Sequence, residues 1–105
     1  MTTLHAAFRV GQLVHHKRFD YRGLIADVDA EFQGSERWYA VMARSRPPKD
    51  KPWYHVLVHD AEHWTYVAEQ NLEPDDSGRP ISHPDPAKHF AEFRDGAYVP
   101  TRATN

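Results

Sequence analysis

With 105 residues and no cysteine, the chain reads as one domain that stands without disulfides and has neither a thiolate nucleophile nor a Cys-ligated metal or iron–sulfur site. Thirteen basic and fifteen acidic residues give a formal net charge of -2 and a pI near 6.4, which argues against a protein held to nucleic acid by its overall field. No stretch approaches the ~20 apolar residues of a membrane span and no basic-then-apolar leader opens the chain, so the expectation is a soluble cytoplasmic protein with no membrane partner.

Residues 1–7 carry no pattern and are expected to form a flexible N-terminus. Residues 8–16 read as a first strand entered through a bend at Gly11, and the polar run 17–20 ends it. Tyr21-Arg22-Gly23 turns the chain. In residues 24–29, Leu24, Ala26 and Val28 alternate with Ile25, Asp27 and Asp29, which predicts a second strand with one core face and one partly wet face. Gly34-Ser35 then offers a helix cap, and Trp38, Val41 and Met42 recur at i, i+3 and i+4. That stripe predicts a short helix, ended by Pro47-Pro48, packing its aromatic and Met side chains as core.

Pro52 opens the most strand-like stretch of the chain, Trp53-Tyr54-His55-Val56-Leu57-Val58, in a position where it has no ladder hydrogen bond to lose. Tyr54, Val56 and Val58 share one face; Trp53, His55, Leu57 and His59 share the other. Apolar groups on both faces predict a central strand, with a core of Tyr54, Val56 and Val58 against Val14, Leu24 and Val28. A tight connection at 60–62 leads into residues 63–68 as a hairpin, and 69–72 turn into a brief last strand, with Asn71 suited to a left-handed conformation. The pattern is mainly β: four to five short antiparallel strands and one inserted helix, a small SH3-like β-barrel over residues 8–73. Residues 74–105 form a C-terminal extension. It is irregular as far as Pro86, then predicted as two helical turns over 86–93 and an apolar anchor over 96–100, with Phe90, Phe93 and Tyr98 docking on the barrel and 101–105 disordered.

No phosphate-cradling loop, nucleophile elbow, HExxH or paired-carboxylate signature is present, so no catalytic residue and no cofactor are assigned, and the chain is read as not an enzyme. Eight histidines raise the question of a metal. His15 and His16 are adjacent on a strand and face opposite sides, while His55 and His59 share a face about 13 Å apart. Only His59 and His63 could meet, across the hairpin, with Asp60 or Glu62 nearby; two imidazoles and a mobile carboxylate make a weak site, and none is assigned. His55 reads instead as a satisfied strand histidine among Trp53, Tyr54 and nearby backbone. Basic residues gather in two loops, Lys17, Arg18 and Arg22 in the first and Arg44, Arg46, Lys49 and Lys51 in the second. They are the candidate nucleic-acid contacts, and otherwise solvated loop charge.

Four segments together carry a family likeness: Arg9-x-Gly11-x-x-Val14-x-His16, Tyr21-Arg22-Gly23-x-Ile25, Pro52-Trp53-Tyr54-His55-Val56-Leu57-Val58 and Tyr66-Val67-Ala68-Glu69-x-Asn71-Leu72. They resemble the HspQ family, also called YccV-like or hemimethylated-DNA-binding proteins, with the likeness running from residue 8 to about residue 100. The resemblance implies an SH3-like barrel and a non-enzymatic, stress-associated cytoplasmic heat shock protein, connected with ATP-dependent protein degradation and with hemimethylated DNA. Related modules in F-box proteins and plastid protease adaptors favour protein binding.

Two functions therefore stand side by side: an adaptor that alters what an ATP-dependent protease such as Lon degrades, or a module that recognises hemimethylated DNA. The near-neutral charge favours the first. Partners on that reading are the protease and its protein substrates, with hemimethylated DNA as the alternative and a weak homo-oligomer allowed. Trp53 and Trp64 are the candidate protein contacts, since aromatic residues supply much interface energy. Gly11, His16, Tyr21, Gly23, Pro52, Tyr54, His55, Val56, Tyr66, Glu69 and Asn71 are read as architectural.

Overall fold

The computed structural model describes residues 6–101. The flexible stretch expected at 1–7 lies outside them except for Ala6 and Ala7, and the disordered tail expected at 101–105 except for Thr101. The chain runs β1 (Leu13–His16), β2 (Arg22–Asp29), α1 (Glu36–Met42), β3 (Trp53–Val58), β4 (Trp64–Ala68), β5 (Leu72–Pro74), a single turn α2 (Pro86–His89), β6 (Phe90–Arg94) and β7 (Ala97–Pro100). Five strands form one antiparallel sheet in the order β4-β3-β2-β1-β5, and β6 pairs with β7 in a second, two-stranded sheet. The ladder of the large sheet is open, with β4 and β5 at its edges. No helix among the described residues is long and apolar enough to cross a membrane.

β3 is an interior strand, paired with β2 and β4 and buried on both faces, although the middle place its composition predicts is taken by β2. Tyr54 and Val56 join Phe8, Val14, Ile25, Val67 and Leu72 in the inner cluster. On the opposite face Trp53 packs with Tyr39, Ala43 and Ala68 beneath α1, and Leu57 packs with Leu13, Leu24, Ile81 and Phe90. Gly23 lies where a Cβ would press on the Leu57 carbonyl oxygen at 2.9 Å, so β2 and β3 approach closely there only because the side chain is missing.

The predicted alternation of β2 fails at one residue. Ile25 pairs with Val56 and Asp27 with His55, which leaves Ala26 as an extra residue in a β-bulge. Beyond the bulge the phase reverses. Ile25 and Val28 therefore share the inner face with Val56 and Tyr54, while Leu24, predicted to join them, belongs to the outer face with Leu57.

The helix begins where the cap predicts, with Ser35 Oγ accepting the Trp38 N–H at 3.0 Å, and of the predicted stripe only Trp38 packs on the core. Tyr39 and Ala43 face the sheet, whereas Val41 and Met42 are 60% and 61% exposed. Three apolar residues at helical spacing fit the pattern of a buried face, and the four-residue step from Tyr39 to Ala43 is the one the sheet accepts.

The C-terminal segment also departs from its prediction. Only one helical turn forms, and Phe90 onward is a hairpin whose turn residues Asp95 and Gly96 both have positive φ, 53° and 79°. Asp-Gly between two short runs is the hairpin signal that the helical reading of 86–93 overrode. Phe93 and Tyr98 pack on the Leu13, Leu24 and Leu57 cluster, and the Tyr98 N–H donates to the Gly11 carbonyl at 2.8 Å.

Candidate partner-binding surface

The motif residues are engaged in holding the sheet together. Tyr54, fully buried, donates its hydroxyl to Glu69 Oε2 at 2.5 Å and accepts the Phe8 N–H at 3.2 Å, while the Ala7 N–H reaches the same carboxylate oxygen at 2.7 Å. Burial first, and then the bond to Glu69, push the Tyr54 phenol well above its usual range. His16 is buried, and its Nδ1 accepts the backbone N–H groups of Arg18 and Phe19, each at 3.1 Å, closing the 17–20 turn. Burial, with the Arg18 and His15 charges, lowers its pKa. His15 has the opposite environment: hydrogen bonds to Asp20 at 2.6 Å and Glu73 at 2.7 Å raise its pKa. Tyr21 bonds Thr65 across the inner face at 2.7 Å, and Asn71 accepts the Lys17 N–H at 2.8 Å.

Among the described residues four large apolar side chains are exposed: Phe19 at 72%, Val41, Met42 and Trp64 at 54%. They border two adjoining hollows that share Trp38, Met42 and Tyr66 as a common wall. The first, about 530 Å³, lies between α1 and the β3–β4 hairpin; Asp29 and His55 line it together with Trp64. The second, about 610 Å³, runs from the far end of α1 to the 17–20 turn and carries Phe19 and Val41.

The first hollow is built by packed rings. The Tyr66 ring lies 5.2 Å from Trp53, 5.7 Å from Trp38 and 4.7 Å from His55, and His55 lies 5.2 Å from Trp64. Tyr66 donates its hydroxyl to Asp29 Oδ2 at 2.6 Å and accepts the Gln33 N–H at 3.0 Å. His55 Nε2 bonds the same Asp29 oxygen at 3.2 Å. Desolvation, with the bond to Asp29, raises the Tyr66 phenol well above its usual range, so it remains a donor.

Of the two tryptophans expected to meet a partner, Trp64 is exposed and Trp53 is not. Trp53 is 2% exposed and donates its Nε1–H to the Pro48 carbonyl at 3.1 Å, so its place is in the packing under α1. The expected basic contacts divide likewise. Arg22 donates to Asp75 at 2.9 Å and to the Arg79 carbonyl, and Lys49 pairs with Glu36 at 2.6 Å over the Tyr39 ring. Arg18 and Arg44 both line the second hollow, and Arg46 lines a neighbouring depression with Arg44 and Val41. Lys17 and Lys51 are exposed.

For metal, the geometry favours a group other than the His59 and His63 pair: Asp27, Asp29 and His55 bring ligand atoms within 4.8 Å of one another. His59 is turned to the C-terminal segment, where its Nδ1 accepts the Ser82 N–H at 2.9 Å. Sequence reasoning missed Asp29, Phe19, Val41 and Met42. The first needed the cross-strand register past a bulge; a lone Phe inside a charged turn was the available signal for the second.

Fold and site together define an antiparallel β domain with an apolar, aromatic-walled face. The chain belongs to the YccV-like family, described as hemimethylated DNA-binding protein YccV like, whose model matches residues 6–97. Among curated proteins it is similar to F-box only protein 21 of Homo sapiens and of Mus musculus, each 33% identical over 95 residues. Those alignments cover 89% of this chain but 15% of each relative, so the chain spans a small part of their length.

Proposed function

We propose that this chain is a non-enzymatic, stress-associated protein-binding domain, an adaptor that changes which proteins an ATP-dependent protease of the Lon type degrades. The observation that carries the reading is the gathering of Phe19, Val41, Met42 and Trp64 along two adjoining hollows, since exposed apolar side chains grouped on one side mark interaction surfaces. The outer edge of β4 beside Trp64 offers unpaired backbone groups to an added strand. In this reading residues 8–73 are an SH3-like barrel and 74–105 an extension resting on it, a view supported by the packing of Ile81, Phe90 and Tyr98 on Leu13, Leu24 and Leu57. Its setting is the cytoplasm.

The test is a reconstituted degradation reaction with a panel of unfolded and native substrates. Adding the protein should change the rates of some of them, and Trp64→Ala and Met42→Ser should reduce that change. Unchanged rates across the panel, with no binding to the protease, would remove the proposal.

Binding of hemimethylated DNA is the second reading, favoured by the family's description and by Arg18, Arg44 and Arg46 lining the second hollow and the depression beside it. On that reading, binding is steeply salt-dependent and lost when those three arginines become Glu. Discrimination between hemimethylated and fully methylated duplex by more than about tenfold would place DNA first.

A further inference from the structure

The first hollow has walls and floor that attract the same sign of charge. Trp38, Tyr66 and Trp64 present aromatic rings to it, and an aromatic face is the negative end of a quadrupole. Among the described residues Asp29 is the only carboxylate of its lining, and no Lys or Arg side chain lines it. Both hydrogen bonds that Asp29 receives, from Tyr66 and His55, go to Oδ2; among the described residues Oδ1 has no donor. Tyr66 and His55 fix the carboxylate while leaving one of its oxygens unused. Asp27, exposed beside it, adds a second negative charge.

We propose that this hollow binds the guanidinium of an arginine side chain presented by a protein partner, stacked against Trp64 with an N–H donated to Asp29 Oδ1. The inference rests on the protein-binding reading above and names the chemistry that the first hollow recognises. Arginine is preferred to lysine for a physical reason. The hollow is open and Trp64 is half exposed, so a strongly hydrated ammonium keeps its water, whereas a flat, weakly hydrated guanidinium gains from stacking and from a directed bond to carboxylate. A divalent metal at Asp27, Asp29 and His55 is the competing occupant, but the Asp29 oxygen nearest His55 is already taken by the Tyr66 hydroxyl.

The full chain would be titrated with Nα-acetyl-arginine amide, following tryptophan fluorescence and the indole N–H resonances. Nα-acetyl-citrulline amide serves as the neutral isostere, and Nα-acetyl-trimethyllysine amide and zinc as rival cations. Arginine amide should bind about tenfold more tightly than citrulline amide, shifting the Trp64 and Trp38 signals. Trp64→Ala, an exposed position that leaves the fold intact by circular dichroism, should abolish the difference, and Asp29→Asn should reduce it. Equal binding of citrulline amide, tighter binding of trimethyllysine amide or of zinc, or arginine binding unaffected by Trp64→Ala would each overturn the assignment. Arginine binding with unchanged degradation rates would sink the adaptor reading alone; altered degradation rates with no arginine binding would sink this inference alone.

Discussion

Replacing Tyr54 by Phe isolates one hydroxyl that ties three parts of the chain together. It donates to Glu69 at 2.5 Å and accepts the Phe8 N–H, and Phe8 is itself 8% exposed. The substitution removes a hydrogen bond to a charged group, about 1.5–3 kcal/mol, and leaves a buried donor without a partner, about 1–3 kcal/mol. The two losses share one network and do not simply add, so about 2–4 kcal/mol is expected. For a domain of this size that lowers Tm by about 10–25 °C. Urea melts followed by far-UV circular dichroism should show the midpoint fall with the slope unchanged.

Alkaline pH gives the same reasoning a sign. Burial and Glu69 raise the Tyr54 pKa above the unfolded value of 10.0, so the folded state holds the phenolic proton longer than the unfolded one. The associated stability is fully present below pH 10 and declines as pH rises further. Between pH 9 and 11 the parent should lose about 1.4 kcal/mol relative to Tyr54→Phe, narrowing the gap between them. A loss under about 0.5 kcal/mol at neutral pH, or a gap that does not narrow, would refute the account.

Val56→Asp buries an unpaired carboxylate at a site 1% exposed and should cost several kcal/mol, enough to unfold the domain; thermal melts check it. Gly11 has φ +95°, and a Cβ there would overlap the Tyr98 carbonyl oxygen, so Gly11→Ala should cost about 1–2 kcal/mol or more and speed amide exchange at Tyr98. His15 and His16 should respond to acid in opposite directions. The raised pKa of His15 gives stability present below pH 6.5 and lost as pH rises through the folded value, so His15→Gln should cost about 0.5 kcal/mol at pH 5.5 and almost nothing at pH 8. The lowered pKa of His16 gives stability present above pH 6.5 and lost as pH falls, which paired melts of His16→Gln and the parent at pH 5.5 and 8 would reveal as a smaller gap in acid.

Composition was enough to read β3, because a run of aromatic and β-branched residues behind Pro52 fits little else than an interior strand. The cap at Ser35 and the hairpin from β3 to β4 were also legible, each being a local arrangement of neighbours in sequence. What escaped depended on distant partners. Tyr39, with Trp38 beside it, faces the sheet because Trp53 and Ala68 stand opposite, while Val41 and Met42 turn to solvent, and nothing within the helix says so. Arg22 reads as free positive charge until Asp75, far along the chain, is placed beside it. The first hollow was invisible for the same reason: Asp29, Trp38, His55 and Trp64 come from four elements, and their meeting depends on register.

The bulge at Ala26 sets that register. Ile25, Asp27 and Asp29 would all point the same way in an unbroken strand, which would either draw two carboxylates into the core or push Ile25 out of it. One additional residue lets Ile25 go inward and both acids outward, toward His55 and Tyr66. Many small side chains would serve at position 26, and removal of the residue would leave Ile25, Asp27, Val28 and Asp29 alternating in step with Val56, His55, Tyr54 and Trp53; what would turn the acids of the hollow against the core is residue 26 taking a paired place in the ladder, so the residue is accommodated only by staying outside the pairing.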